Sequence, residues 1–170
     1  MVKAVSSQES RESAWRIHQA LGEWTARVDT KASFALTLES AALAGIVALS
    51  DNGHIFDNLA GVRARAVLWL GIALIMTGAI FAVLVVVPRL RKKKTLREEA
   101  TNHFVYFGHL QFWKQADLAQ KLEQADMLPV LSGQLIRMSE IAWKKHRFVQ
   151  LSFGLAGLGA LLVIVASYLR

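Results

Sequence analysis

The chain has no cysteine in 170 residues. That excludes a disulfide framework, thiolate metal sites and a cysteine nucleophile. Proline is almost absent, with Pro88 and Pro129 alone, so little stands in the way of long helices. Charged residues make up 19%, below the roughly one quarter usual in a soluble domain. Enzyme signatures are missing too: there is no GxxxxGK[ST], no GxSxG and no HExxH. His18, His54, His103, His109 and His146 show no metal-ligand spacing, so neither a metal nor a catalytic centre is expected. The net charge of +7 comes without any nucleic-acid-binding motif. What the chain does have is apolar residues, 54% of the total, with a mean hydropathy of +0.33. Intrinsic disorder is thereby excluded.

The apolar residues come in blocks. Ala66–Val87 and Phe148–Leu169 are each 22 residues without a charge. As helices they would extend about 33 Å, against a bilayer core of about 30 Å. Ala32–Ser50 is a third block of 19 residues, interrupted only by Glu39. Three transmembrane helices are therefore expected at 32–50, 66–87 and 148–169. The polar N-terminus and the late first apolar run predict no cleavable signal peptide. Of 20 basic residues, five lie in 1–31 and twelve in 88–147, the two segments that share one side of a three-span protein. The positive-inside rule makes that side cytoplasmic. The N-terminal segment 1–31 and the segment 88–147 are then cytoplasmic. The short turn-like 51–65 loop, with Arg63 and Arg65, and the C-terminal Arg170 face out. The basic run Pro88-Arg89-Leu90-Arg91-Lys92-Lys93-Lys94 following the second span reads as a topology anchor in contact with anionic lipid.

The cytoplasmic segments carry helical patterns of their own. Ala14, Ile17, Leu21, Trp24 and Val28 recur at alternating spacings of three and four, and Ser6 with Glu9 has capping-box spacing ahead of them. Leu131, Leu135, Met138 and Ala142 repeat the pattern beyond Pro129. No helix breaker separates either seam from its neighbouring span, which predicts two long helices shared between membrane and cytoplasm. Arg97–Trp113 reads as a further, aromatic-rich helix, on which His103 and His109 would point about 240° apart. Asp117 with Gln120 reads as the cap of a short helix to Ala125. The expected fold is all-α: a cytoplasmic helical bundle and three transmembrane helices.

Two kinds of candidate site emerge. A carboxylate within a span is expensive and points to function. Glu39, with Thr37 and Ser40 beside it, is the polar cluster of the first span and the candidate lining of a membrane path. A single three-helix subunit has no room for such a path, so a homo-oligomer with cyclic symmetry is expected. Ala41/Gly45, Ala44/Ala48, and Gly154, Gly157 and Gly159 in the third span favour close helix packing. The second kind combines aromatic faces, amide or imidazole donors and cations, the groups that hold a nucleotide. Asn102, Tyr106, Phe107 and His109 provide one such set, and Trp143, Lys145, His146 and Arg147 another.

At these residues the chain resembles a known family. Asp29-Thr30-Lys31-Ala32 enters the first span and Val87-Pro88-Arg89-Leu90 leaves the second. With Tyr106-Phe107-Gly108-His109 and Ile141-Ala142-Trp143-Lys144-Lys145-His146-Arg147, in order and spacing, they look like the transmembrane effectors of the Pycsar antiphage system. The likeness spans about residues 14–168. It implies a bacterial inner-membrane effector that senses cyclic CMP or cyclic UMP made by a phage-activated cyclase. It also implies impairment of the membrane and abortive infection, with no cofactor beyond the nucleotide. Two other readings of the residues stand beside it: a ligand-free membrane component of a plasmid-transfer apparatus, and a defence effector gated by a cyclic dinucleotide.

Overall fold

The computed structural model describes residues 6–51, 61–88 and 90–169. Among the described residues six α-helices follow one another: α1 Ser7–Asp51, α2 Val62–Val86, α3 Lys93–Glu99, α4 Phe107–Leu110, α5 Gln115–Gln124 and α6 Met127–Tyr168. A 3₁₀ turn, Ala100–Asn102, follows α3. No strand occurs among the described residues. Three helices among the described residues are long and apolar enough to cross a membrane: Ser7–Ser50, Val62–Val86 and Met127–Tyr168. The all-α fold with three membrane-length helices is thus as the hydropathy pattern required. Most of the 51–65 loop, Arg89 of the basic run and Arg170 lie outside the described residues.

By contact the chain forms two compact units: Met1–Thr25 with Arg89–Trp143, and Ala26–Pro88 with Lys144–Arg170. Helices α1 and α6, of 45 and 42 residues, contribute to both. Their length follows from the missing breakers on either side of each seam. At the start of α1 the capping box closes reciprocally. The Ser6 N–H donates to Glu9 Oε2 at 2.8 Å, and the Glu9 N–H to Ser6 Oγ at 3.2 Å. At the start of α6 the Leu128 N–H donates to Asp126 Oδ1 at 3.2 Å.

The Ala26–Pro88/Lys144–Arg170 unit, here the membrane unit, is built on a seven-residue period. On α2 the buried face is Ala64, Leu68, Gly71, Ile75, Gly78, Ala82 and Val85. These positions alternate four and three apart, and the first, third and fifth are small. On α6 the buried positions Val149, Ser152, Gly159 and Ala166 keep the same register. Such seams let two helices interlock along their length, and small residues let the backbones approach. The closest approach is at Gly71 and Gly159. A Cβ on Gly159 would lie 2.6 Å from the Gly71 carbonyl oxygen, and one on Gly71 2.8 Å from the Gly159 carbonyl oxygen. Of the three glycines singled out in the third span, Gly159 alone is used in this way; a Cβ on Gly154 or Gly157 would meet nothing within 4 Å. Clusters flank the crossing: Val28, Ala32, Val85 and Val149 in one, Ala64, Leu68 and Ala166 in the other.

Polar side chains of α1 in this unit mostly satisfy themselves. Ser33 Oγ donates to the Asp29 carbonyl at 3.0 Å and Thr37 Oγ1 to the Ser33 carbonyl at 3.0 Å. The four-residue back-bond lets hydroxyls sit in an apolar span without a partner helix.

The other unit, here the soluble unit, contains a correction. The expected helix Arg97–Trp113 does not form as one piece. Helix α3 stops at Glu99, the 3₁₀ turn follows, and the chain is extended at His103 and again at Tyr106, before the single turn of α4. The stretch His103–Gly108 is aromatic, β-branched or glycine, all poorer helix formers than the Lys, Leu, Arg and Glu residues of α3. Tertiary packing then decides: Phe104 is buried and meets Trp113 edge-on at 6.2 Å. The Trp113 Nε1–H donates to the Ala100 carbonyl at 3.0 Å, an oxygen that also accepts the His103 N–H at 3.2 Å. Helix α5 also begins earlier than expected, after Lys114, so Asp117 lies in its first turn and not at its cap. A carboxylate there still favours the helix through its macrodipole.

Candidate functional site

The break in the aromatic segment creates the soluble unit's polar centre. With one continuous helix His103 and His109 could not meet. With the chain turned at residues 100–106 their rings stack at 5.4 Å, and Tyr106 meets His109 edge-on at 5.5 Å. His109 is only 1% exposed. Its Nε2 lies 3.3 Å from Glu99 Oε2. A carboxylate only accepts, so Nε2 carries the proton and Nδ1 the lone pair. That Nδ1 is buried without a hydrogen-bond partner. Burial pushes the His109 pKa below its usual value, against the opposing pull of Glu99, and so favours the neutral ring.

Glu99 gathers three side chains. Arg91 grips it with both terminal nitrogens at 2.7 Å each, and Arg137 Nη1 lies at 3.4 Å. The Arg91 hydrogen bonds, more than any other cause, hold the Glu99 carboxyl down at about 2. The same bonds hold the Arg91 guanidinium above its ordinary value. Sequence inspection did not single out Arg91, Glu99 or Arg137 as a group. Their signal would have been the spacing Arg91 to Glu99 to His109, which has meaning only once the helix is broken.

Beside this centre is a cleft of about 490 Å³ in the soluble unit. Tyr106, Phe107 and Val105 line it, together with His18, Gly22 and Thr25 of α1 and Gln134, Met138 and Ile141 of α6. That volume is within the usual range for small-molecule sites, about 300–1,000 Å³, and so is the character: mostly apolar with a few polar groups. Tyr106 and Phe107 pack against each other at 4.5 Å. A second cleft, of about 510 Å³, has Phe112 and Trp113 with Arg97, Lys114 and Asp117 around it.

The residues expected to bind nucleotide are not all in one place. Tyr106 and Phe107 line the 490 Å³ cleft, and His109 lies buried behind Tyr106. Asn102 is exposed at the end of the 3₁₀ turn, and Trp143 is 73% exposed on α6. Lys145, His146 and Arg147 belong to the membrane unit. There Lys145 Nζ bonds both oxygens of Asp29, at 2.5 and 2.8 Å, joining two of the stretches that carried the family likeness.

The membrane unit holds the other candidate. Glu39 is 3% exposed, and its Oε1 accepts the Ser152 hydroxyl at 2.7 Å. Its Oε2 has no partner. Glu39 lines an otherwise apolar cleft of about 250 Å³ with residues of α2 and α6, among them Ile75, Phe153 and Gly157. Thr37 and Ser40 are exposed. On a helix they stand about 60° apart, and Glu39 about 100° or more from either, so the three do not share one surface.

A helical, multi-pass membrane protein is the class that these elements define. The family model of the Pycsar effector protein domain matches residues 13–170, and the chain belongs to that family, placing it in antiviral defence. Neither a curated protein nor a solved structure matches it.

Proposed function

We propose that the chain is a non-enzymatic sensor and membrane effector of bacterial antiphage defence. It binds cyclic CMP or cyclic UMP in the soluble unit and then impairs the inner membrane, so that infection is abortive. The observation that carries this reading is the Tyr106–Phe107 cleft. It combines a stacking surface with His18, Thr25 and Gln134, whose side chains offer donors and acceptors to a base edge. Family membership supports the role in defence, and α1 and α6, which each contribute to both units, offer a route for coupling. Lys145 and Arg147 remain with the membrane unit as interfacial cations in this reading, with His146 between them. Self-association has support in the large apolar residues left exposed on the soluble unit, notably Ile17, Trp24, Ile141 and Trp143.

The test is calorimetric titration of the purified full chain with cCMP, cUMP and a cyclic dinucleotide. Tyr106→Ala is expected to weaken cyclic-mononucleotide binding about tenfold, since a stacking face is worth about 1–3 kcal/mol. Unchanged binding by that variant would move the site to the Trp113 cleft. Binding of the dinucleotide in preference to both mononucleotides would replace the ligand class.

We also propose that the N-terminus and residues 88–147 are cytoplasmic and the C-terminus periplasmic. Reporter fusions after Leu128 should then read cytoplasmic and fusions after Arg170 periplasmic. The same sidedness at both positions would remove the three-span arrangement.

A further inference from the structure

We propose that Arg91 and Arg137 are the clamp for the ligand's phosphodiester, and that Glu99 is its internal stand-in, displaced when the nucleotide arrives. The proposal rests on the cyclic-nucleotide reading above and supplies what the aromatic cleft lacks, for no Lys or Arg lines it. A cyclic phosphodiester carries one negative charge and needs a cation.

Three observations carry the assignment. The first is charge. Two guanidinium groups converge on a single carboxylate. The cluster therefore holds one surplus positive charge, the complement of one phosphodiester. The second is chemistry. The Arg fork matches carboxylate and phosphate oxygens alike, so one anion can replace another without remodelling the donors. Arg91 and Arg137 are 39% and 44% exposed at their side chains, which leaves them open to a ligand.

The third is position. Tyr106 lines the cleft and packs on His109, which touches Glu99. On α6, Arg137 follows the cleft residue Gln134 by three positions and precedes Met138 by one, so it stands within one turn of both. The arginines are thus joined to the stacking wall of the cleft through Tyr106, His109 and Glu99. The three contacts on Glu99 are also unequal. Arg91 is bound twice at 2.7 Å and Arg137 once at 3.4 Å. Arg137 is thus the guanidinium that a second anion can recruit with least loss.

The stand-in makes the clamp distinguishable from a purely structural knot. If Glu99 competes with the phosphate, removing its charge should help the ligand. The experiment is titration of the full chain with cCMP and cUMP in detergent free of anionic lipid, comparing wild type, Arg137→Gln and Glu99→Gln. Folding is checked by Trp fluorescence melting. Arg137→Gln keeps the bidentate Arg91–Glu99 pair and is expected to lose about tenfold or more in affinity, the loss that goes with a hydrogen bond to a charged group. Glu99→Gln is expected to bind several-fold more tightly than wild type. A folded Arg137→Gln that binds as wild type does would overturn the clamp and leave the sensor reading in place. Weaker or equal binding by folded Glu99→Gln would overturn the stand-in. Absence of cyclic-pyrimidine binding by wild type would sink the sensor reading, and the clamp with it. Binding of inorganic phosphate alone at comparable affinity would likewise overturn the clamp as part of a nucleotide site.

Discussion

Gly159→Leu is expected to prevent normal assembly of the membrane unit. At this position the α6 backbone lies against the Gly71 carbonyl of α2, and even a Cβ would sit 2.6 Å from that oxygen and 3.0 Å from the Ile75 nitrogen. Both neighbours are backbone, so no rotamer change relieves the clash; the helices must move apart along the whole seam. Lipid chains are as apolar as leucine side chains, so close packing is what holds such helices together. Overpacking a well-fitted core costs about 1–3 kcal/mol, and a clash with backbone falls at the upper end or beyond. The variant should accumulate poorly, and in detergent should melt well below the parent. Gly154→Leu is the control, because a side chain there points into open space; it should melt close to the parent. Equal melting of Gly159→Leu and the parent would mean that the helices do not cross at this glycine pair.

The contrast between these two glycines marks what the sequence reveals and what it does not. The spans, the capping box and the two unbroken long helices depend on local patterns: uncharged runs, a Ser-x-x-Glu, and the absence of breakers. All three are legible along one strand of text. Glycine use depends on which neighbour lies opposite. Gly154, Gly157 and Gly159 look alike in sequence, and Gly71 and Gly78 are hidden in a uniformly apolar run. The seven-residue recurrence Ala64, Gly71, Gly78 was the one available signal. The polar centre was harder still. Reading Arg97–Trp113 as one helix sends His103 and His109 to different faces, and only the break after Glu99 brings them together. Weak helix propensity in His103–Gly108 hinted at that break, yet propensity is a weak prior that packing routinely overrides. The same dependence explains the divided nucleotide candidates. Tyr106 and Lys145 have the right chemistry for one ligand, but Lys145 is paired with Asp29 in the other unit.

Glu39→Ala or Glu39→Gln is expected to abolish most of the membrane depolarisation and growth arrest while leaving nucleotide binding and insertion intact. The argument begins from cost. A buried carboxylate oxygen with no partner is destabilising by at least about 1–3 kcal/mol, and Glu39 Oε2 is in that state. The Ser152 hydroxyl could be satisfied without Glu39, by back-bonding to its own helix as Thr77 and Ser33 do. The resting packing of the membrane unit therefore has little need of this side chain, and the variants should melt at or above the parent temperature. A group retained at such cost in a span points to the other state of the molecule. In that state the carboxylate would leave the contact with Ser152 and Gly78 and meet water or a neighbouring subunit. Ligand binding can drive that change only through a difference in affinity between the two states. Replacing the carboxylate removes what the second state gains, so ligand would still bind but output would fail. The measurement is a potential-sensitive dye in cells exposed to the cyclic nucleotide, with growth followed in parallel. Glu39 variants that depolarise and arrest cells as the parent does would make the carboxylate structural and shift the search for a membrane path to α2 and α6. Variants that lose insertion and nucleotide binding together would make Glu39 a folding residue, contrary to the cost argument.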